Sequence, residues 1–182
     1  MDENKEQLIS DQIETERIIL RHFKPLDIED LYEYCSVDGV GEMAGWPKHT
    51  SIDYSMRVLS HYIKNKNMYT VVYKENNKVI GHITIQKDSE DGRADTKELG
   101  YVLNKDYWNK GIMTEVVKAV LKELFENCYG INYVYACCFK NNMQSKRLIE
   151  KCGFHFEQEG KYEAKMLHRT FDSYEYVYTR DM

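Results

Sequence analysis

The hydrophobic residues between positions 116 and 125 recur with the spacing of one face of an α-helix. They stand at i, i+1, i+4, i+5, i+8 and i+9, and this period predicts a helix over residues 114–127. A second helix is predicted between Asn142, a residue type that caps helix N-termini, and Gly153, a residue type that favours helix C-termini.

Two amphipathic runs in the first third of the chain predict shorter helices. The run DIEDLYEYC, over residues 27–35, places its apolar residues on one face and offers Asp27 as an N-cap. The run over 51–64 follows Thr50 and Ser51, either of which can serve as the cap.

Runs of β-branched and aromatic residues predict the strands. Two such runs flank Asn76-Asn77, and Asn tolerates the positive φ that a tight turn needs, so residues 68–88 are predicted to form a hairpin. Polar or Gly-containing stretches predict loops at 39–50 and 89–96. The other predicted strands are 16–23, 97–104, 131–139, 154–160 and 172–179.

The order of these elements, β α α β β β α β α β β, predicts an α+β fold with helices packed against a central sheet. The chain has 182 residues, of which 42% are hydrophobic, and no repeat or linker divides it. This length and composition suit one domain over residues 1–182.

The charge balance is acidic, with 25 Lys and Arg residues against 30 Asp and Glu residues and a net charge of −5. Such a chain is poorly suited to phosphate backbones, so no nucleic-acid partner is expected. The five Cys residues are an odd number without metal-ligand spacing, which favours buried free thiols in a reducing cytosol and no metal. The polar N-terminal stretch and the lack of a long apolar run predict a cytoplasmic protein without membrane contact.

The stretch DYWNKGIMTEV lies between the predicted strand 97–104 and the predicted helix 114–127. A helix N-terminus carries unpaired N–H groups and partial positive charge, which suit an anion. Gly111 would allow close approach of the backbone to a phosphate, and Lys110 would add a cation. A plain turn is the alternative interpretation of this lone glycine.

A second unit of the same kind follows the predicted strand 131–139. It consists of Asn142 to Ser145 and then Lys151 to Phe154. The alternative is that Asn142 and Gly153 only cap a helix.

The chain resembles the GNAT superfamily of acyl-CoA-dependent N-acetyltransferases, in particular the branch with ribosomal-protein N-terminal acetyltransferases. The stretches that carry the resemblance are ETERIILRHFKPLDIEDLYEY, GWPKHTS, ELGYVLNKDYWNKGIMTE and NNMQSKRLIEKCGF. The resemblance implies a mixed, mostly antiparallel sheet with helices on both faces. It also implies a splay between the fourth and fifth predicted strands, 97–104 and 131–139.

Acetyl-CoA is the cofactor that the resemblance implies. Its pantetheine arm would bind the backbone of Tyr101, Val102 and Leu103. The phosphate-loop pattern Q/R-x-x-G-x-G/A falls here on Trp108, Gly111 and Met113, so the first and third positions depart from it. The backbone N–H groups that would hold the pyrophosphate are those of Asn109, Lys110, Gly111, Ile112, Met113 and Thr114. The side chains of Asn142, Ser145 and Lys146 would face the pantetheine or the adenosine phosphates.

The implied reaction is direct acyl transfer from the thioester to an amine, without a covalent enzyme intermediate. Many relatives use a Tyr to protonate the leaving thiolate, and Ile149 stands at that position here. We therefore expect Ser145 to be the donor to sulfur, with a purely structural role at the helix start as the alternative. A cysteine nucleophile at Cys137 or Cys138 is a second chemical hypothesis, although nothing in the sequence pairs either with a base.

Glu98, at the head of the splayed strand, is the first candidate for the base and would act through water. A solvated charge at a strand end is its alternative role. Glu163 and His168 are weaker candidates, whereas His82 and His155 are expected to be structural.

The acceptor would be a protein N-terminal α-amine or a small-molecule amine. Glu42 and Trp46 are the candidate substrate-binding residues, through charge and a cation–π contact, and a packed turn at Trp46 is the alternative. A catalytically inactive acyl-CoA-binding sensor on the same fold is the competing function. The expected assembly is a monomer or a homodimer.

Overall fold

The structure, a computed structural model, describes residues 9–87 and 93–180. Within these ranges eight strands form one sheet in the order β1-β2-β3-β4-β5-β6-β8-β7. The strands are β1 Gln12–Glu14, β2 Ile18–Arg21, β3 Met68–Tyr73, β4 Lys78–Gln86, β5 Thr96–Leu103, β6 Tyr133–Phe139, β7 His155–Ala164 and β8 Arg169–Thr179. The α-helices are α1 Ile28–Cys35, α2 Ile52–Lys64, α3 Ile112–Asn127 and α4 Met143–Lys151.

Two hydrophobic cores cover the two faces of the sheet. Successive side chains of a strand point to opposite faces, and β5 contributes to both cores. Leu99 and Leu103 join the core that contains α3 and α4 residues, whereas Val102 joins the core that contains α1 and α2 residues. The predicted α+β architecture, with helices on both faces of a mostly antiparallel sheet, is therefore confirmed.

Strands β5 and β6 are the parallel pair of the sheet, and they stay together over only part of their length. Pairing runs from Thr96 opposite Tyr133 to Leu99 opposite Ala136. Beyond this point β5 continues to Leu103 and β6 continues to Phe139 without a shared ladder. The splay predicted between strands 97–104 and 131–139 is thus observed. These strands are fifth and sixth in the structure because the short β1 escaped prediction.

Several local predictions are confirmed. Ser51 caps α2 by accepting from the Tyr54 N–H at 3.2 Å, and Asn142 caps α4 by accepting from the Ser145 N–H at 3.2 Å. Asn77, in the β3–β4 turn, has φ +57°, and Gly153, just beyond α4, has φ +94°.

Other boundaries differ from the predictions. Helix α3 begins at Ile112, before the predicted residue 114, and β7 extends to Ala164, beyond the predicted residue 160. Residues 88–92, which include the first half of the predicted loop 89–96, lie outside the described residues.

Asp27 occupies the N-cap position of α1, but its side chain does not make the predicted capping hydrogen bond. Its carboxylate instead accepts two hydrogen bonds from the Arg21 guanidinium at 2.8 Å and one from the Lys24 N–H at 2.7 Å. A bidentate, charge-assisted pair outcompetes a single bond to a helix N–H.

No helix within the described ranges combines the length and apolar character needed to cross a membrane.

His82 lies in the core under α1 and α2, with its Nδ1 atom 2.9 Å from the hydroxyl of the buried Tyr34. Burial, with a smaller contribution from nearby His49, lowers the pKa of His82 to about 3. Burial also raises the pKa of Tyr34, so the phenol stays protonated and donates a hydrogen bond to the neutral imidazole. His82 therefore has the structural role expected from the sequence.

We predict that His82 makes the protein less stable in mild acid. The unfolded chain binds a proton near pH 6.5 and the folded chain does not, so stability falls as the pH drops below that value. Between pH 6.5 and pH 5 the loss should be about 2 kcal/mol. Urea unfolding of His82→Gln should show a pH dependence weaker by this amount, whereas the exposed-site control His61→Gln should behave like the wild type. An unchanged pH dependence in His82→Gln would contradict the assignment.

Candidate active site

A cavity of about 660 Å³ lies where β5 and β6 diverge. Its walls come from the loop near residue 40, from the splayed half of β5 with the loop that follows it, and from the start of α4. Because α3 follows β5 and α4 follows β6 in the chain, the N-termini of both helices face this cavity. The two units singled out in the sequence, around Gly111 and around Asn142, are thus brought together.

The loop before α3 and the first turn of α3 line the cavity, at Asn109 and from Gly111 to Thr114. Gly111 is the N-cap of α3 with φ +72°, and Asn109 also has positive φ at +60°. A Cβ at Gly111 would meet only Arg17 Nη2, at an ordinary 3.8 Å, so glycine is favoured here by the backbone conformation rather than by space. The first intrahelical bond runs from Glu115 to the Gly111 carbonyl, which leaves the N–H groups of residues 111–114 without an intrahelical acceptor.

Arg17, the residue before β2, supports this loop through hydrogen bonds. Its Nη1 atom donates to the Lys110 carbonyl at 3.0 Å, and its Nε atom donates to Glu115 Oε2 at 2.7 Å. Glu115 also accepts from the Thr15 hydroxyl at 2.5 Å and from the Arg17 N–H at 3.0 Å. Partial burial alone would raise the pKa of Glu115, but these hydrogen bonds lower it below its usual value. The carboxylate therefore stays charged and ties the β1–β2 turn to α3.

Three cationic side chains line the cavity: Lys105, Arg147 and Lys151. Two lysines named from the sequence do not line it. Lys146 lies over the Tyr174 ring at 4.8 Å and 3.9 Å from Glu150, and Lys110 lies over the Tyr107 ring at 5.2 Å.

The sequence analysis did not single out Arg147, although its helical spacing could have identified it. With the helix start fixed at Asn142, Arg147 and Lys151 are four residues apart and share one face of α4.

Trp108 and Met113 occupy the two positions that depart from the phosphate-loop pattern, and both are engaged in packing. The Trp108 Nε1–H donates to the Leu103 carbonyl at 2.7 Å, and its ring packs against both cores. Met113 is buried in the core under α3. The third position therefore accepts a bulky side chain, because that side chain fills the core below the loop.

Ser145 lies in the first turn of α4 and lines the cavity. Its N–H donates to Asn142, and its hydroxyl oxygen lies 2.8 Å from the Tyr101 hydroxyl oxygen on β5. Ile149, one turn further along α4, is buried in the core. Two positions were considered for a donor to sulfur. Ser145 lies beside the splay, whereas Ile149 lies in the core.

Glu98 lies in the paired part of β5, opposite Gln86 of β4 and Tyr135 of β6. By strand alternation it shares the sheet face of Val102, opposite to the face of Tyr101. Its charge contributes to the raised pKa values of Cys137 and Tyr162, which places it near β6 and β7 on that face.

Glu42 and Trp46 do not line the cavity, although Met43 and Ala44 do. Glu42 accepts from the Gly39 N–H at 2.7 Å, and the Trp46 ring packs in the core with α1 and α2 residues. Their role in acceptor binding stays a prediction, and the packing of Trp46 agrees with the structural alternative that the sequence left open for that residue.

Comparisons with known proteins agree with this geometry. The family model described as an acetyltransferase (GNAT) domain matches residues 17–155. The chain belongs to the GNAT family of acetyltransferases. It is 29% identical over 145 residues to the uncharacterized N-acetyltransferase YnaD of Bacillus subtilis, covering 80% of this chain and 83% of the relative.

Solved GNAT structures share the fold over nearly the whole chain. A GNAT-family acetyltransferase from Bacillus anthracis superposes with a TM-score of 0.81 at 25% identity, covering 94% of this chain and 99% of that one. The microcin C7 self-immunity acetyltransferase MccE, solved in complex with acetyl-CoA and AMP, superposes with a TM-score of 0.76 at 20% identity, covering 95% and 98%. The predicted family, fold and enzyme class are confirmed.

The cysteines of this GNAT acetyltransferase are poor nucleophiles. Burial raises the pKa of Cys137 to about 12 and that of Cys138 to about 11, so few thiolates form at neutral pH. Within the described part of the chain, no cluster of His, Cys, Asp and Glu side chains is arranged to hold a metal ion.

We predict that Arg17→Ala weakens acetyl-CoA binding by about tenfold, because the loop at Lys110 and Gly111 loses its support. Binding of S-acetylpantetheine, which lacks the pyrophosphate, should change less than twofold. Calorimetric titration of both ligands measures the difference, and Arg57→Ala, which removes an arginine from α2, is the matched control. Equal losses for the two ligands would contradict a role in supporting the phosphate loop.

Proposed function

We propose that this acetyltransferase moves the acetyl group of acetyl-CoA directly to a primary amine. The observation that carries the proposal is the opening between β5 and β6, which leads into a cavity bordered by two helix N-termini and three cationic side chains. A long, polyanionic thioester suits such a site, since one end needs positive charge and the other needs a passage through the sheet. The acetyl-CoA bound in MccE, which shares the fold, supports the same donor.

The donor would be held in two parts. The N–H groups of residues 111–114 suit the pyrophosphate, and Arg147 and Lys151 suit further phosphate charge. The segment of β5 beyond Leu99, which has no ladder to β6, suits the pantetheine arm around Tyr101, Val102 and Leu103. The binding roles predicted for this stretch and for Asn142 therefore form part of the proposal.

The two faces of the sheet would divide the chemistry between them. Ser145 lies on the α4 side of the opening, where its hydroxyl can donate to the thioester sulfur. Glu98 lies on the other face, which an amine approaching from the opposite side would meet. The amine nitrogen attacks the carbonyl carbon, the C–S bond breaks, and its electron pair stays on sulfur. Glu98 accepts, through water, the proton that the ammonium loses before attack, and the second N–H proton, released as the amide forms, passes through solvent to the thiolate.

The acceptor face of the sheet combines acidic and aromatic side chains. Phe139 and Phe171 stack with ring centroids 4.3 Å apart, and Tyr162 lies 5.4 Å from Phe139. With Glu98 on the same face, this surface suits a cationic amine that carries an apolar group. Both a peptide N-terminus and a small-molecule amine fit this description.

A panel of amines and peptide N-termini, incubated with acetyl-CoA, tests the proposed function. We expect at least one primary amine to gain the mass of one acetyl group, with equimolar release of free thiol. N-Blocked forms of the same acceptors are the controls and should gain nothing. Acetyl-CoA binding without turnover of any acceptor would contradict the proposal and favour a sensor.

Substitution of Glu98 tests its role as the base. In the wild type kcat/KM should rise with pH through one apparent pKa, because Glu98 must be deprotonated to accept a proton. In Glu98→Gln that rise should disappear and the rate should fall by about a hundredfold. Glu126→Gln, on the exposed side of α3, is the control. A wild-type pH–rate profile in Glu98→Gln would remove Glu98 from the mechanism.

A further inference from the structure

The hydroxyl of Ser145 has one hydrogen-bond partner in the part of the chain that the structure describes, and that partner is the phenol of Tyr101. The two oxygens are 2.8 Å apart and join residues 44 positions apart in the chain. The Ser145 hydroxyl does not cap α4, since Asn142 performs that function. Tyr101 stands on β5 just beyond Leu99, the last residue paired to β6, so the contact spans the mouth of the splay.

The chemistry of the two hydroxyl groups favours one direction for this hydrogen bond. A phenol is the more acidic group and therefore the better donor, whereas an aliphatic hydroxyl oxygen is the better acceptor. Burial raises the pKa of Tyr101 further, so its proton stays in place at neutral pH. When Tyr101 donates to Ser145 Oγ, the serine retains its own hydrogen for another acceptor.

We propose that Tyr101 is a positioning residue for acyl transfer: its O–H donates to Ser145 Oγ and directs the serine hydrogen toward the thioester sulfur. This inference rests on the proposed function and deepens it. As the C–S bond breaks, the electron pair on sulfur is stabilised by the Ser145 hydrogen, and the Tyr101 bond makes that hydrogen a stronger donor. Neither hydroxyl changes its protonation state over the cycle, because the proton that completes the CoA thiol comes from the acceptor amine through solvent.

A purely structural tie between β5 and α4 would have different consequences. It would affect folding and cofactor affinity, and it would leave the electronic environment of the sulfur unchanged. The thiol of bound coenzyme A reports on that environment directly, since a hydrogen bond to the thiolate lowers its pKa.

The test measures the thiol pKa of bound coenzyme A from the ultraviolet absorbance of the thiolate, in the wild type and in Tyr101→Phe. We expect the substitution to raise this pKa by about one pH unit while the dissociation constant of coenzyme A changes less than twofold. Ser145→Ala should raise it at least as much. The double variant should match Ser145→Ala, because Tyr101 acts only through the serine.

Tyr176→Phe is the matched control, because the Tyr176 hydroxyl donates to Glu150 of the same helix at 3.2 Å and does not touch Ser145. It should leave the thiol pKa unchanged. Once an acceptor is identified, we expect kcat to fall about tenfold in Tyr101→Phe while the KM for acetyl-CoA stays constant.

Two results would overturn the inference. If the thiol pKa is unchanged in Tyr101→Phe but raised in Ser145→Ala, Tyr101 has no positioning role and the role of Ser145 stands. A wild-type thiol pKa in Ser145→Ala removes both residues, while acetyl transfer to an amine would still stand if the panel shows it.

Discussion

The opening between β5 and β6 depends on how firmly each strand is held on its other side. Strand β5 pairs with β4 from Glu98 to Leu103, through the splayed half, and β6 pairs with β8 along its whole length. Gly81 brings β4 close to β5 there, since a Cβ at this position would lie 2.3 Å from the Val102 carbonyl oxygen. Because each strand already has a partner on its outer edge, the two diverge without either one fraying.

The parallel direction of this pair places the rest of the site. Parallel strands end at the same edge of a sheet, so the helices that follow them begin at that edge. The chain enters α3 through Gly111 and α4 through Asn142, and both N-termini face the cavity. The positive ends of two helices therefore lie where a polyanionic cofactor would bind. Arg17 and Glu115 then fix the loop before α3 against the start of β2.

The fold and the meeting of the two loop–helix units beside the splay were largely predictable from the sequence. The local sequence signals are the helical period of α3, the capping residues of α2 and α4, and the glycine before α3. The structure contains the features that these signals predict. Trp108 and Met113 departed from the expected pattern, and the structure gives each a role in packing.

What sequence reasoning missed depends on contacts between distant residues or on helix phase. Nothing local links Arg17 to Glu115 or Tyr101 to Ser145, so these pairs emerge only once the sheet has formed. Lys146 and Arg147 are neighbours in sequence, but they point about 100° apart on a helix, and the cavity is lined by the second of them. Asp27 was predicted as a cap because its stronger partner, Arg21, lies on a strand whose pairing was not known.

The central claim is that acetyl-CoA occupies the opening between β5 and β6 with its pyrophosphate on the N-terminus of α3. The most direct test is a crystal structure of the protein with acetyl-CoA. The account predicts pyrophosphate oxygens within hydrogen-bonding distance of the N–H groups of residues 111–114 and a thioester sulfur next to Ser145. Density for the cofactor elsewhere on the surface, or β5 and β6 paired along their full length with the cofactor bound, would contradict it.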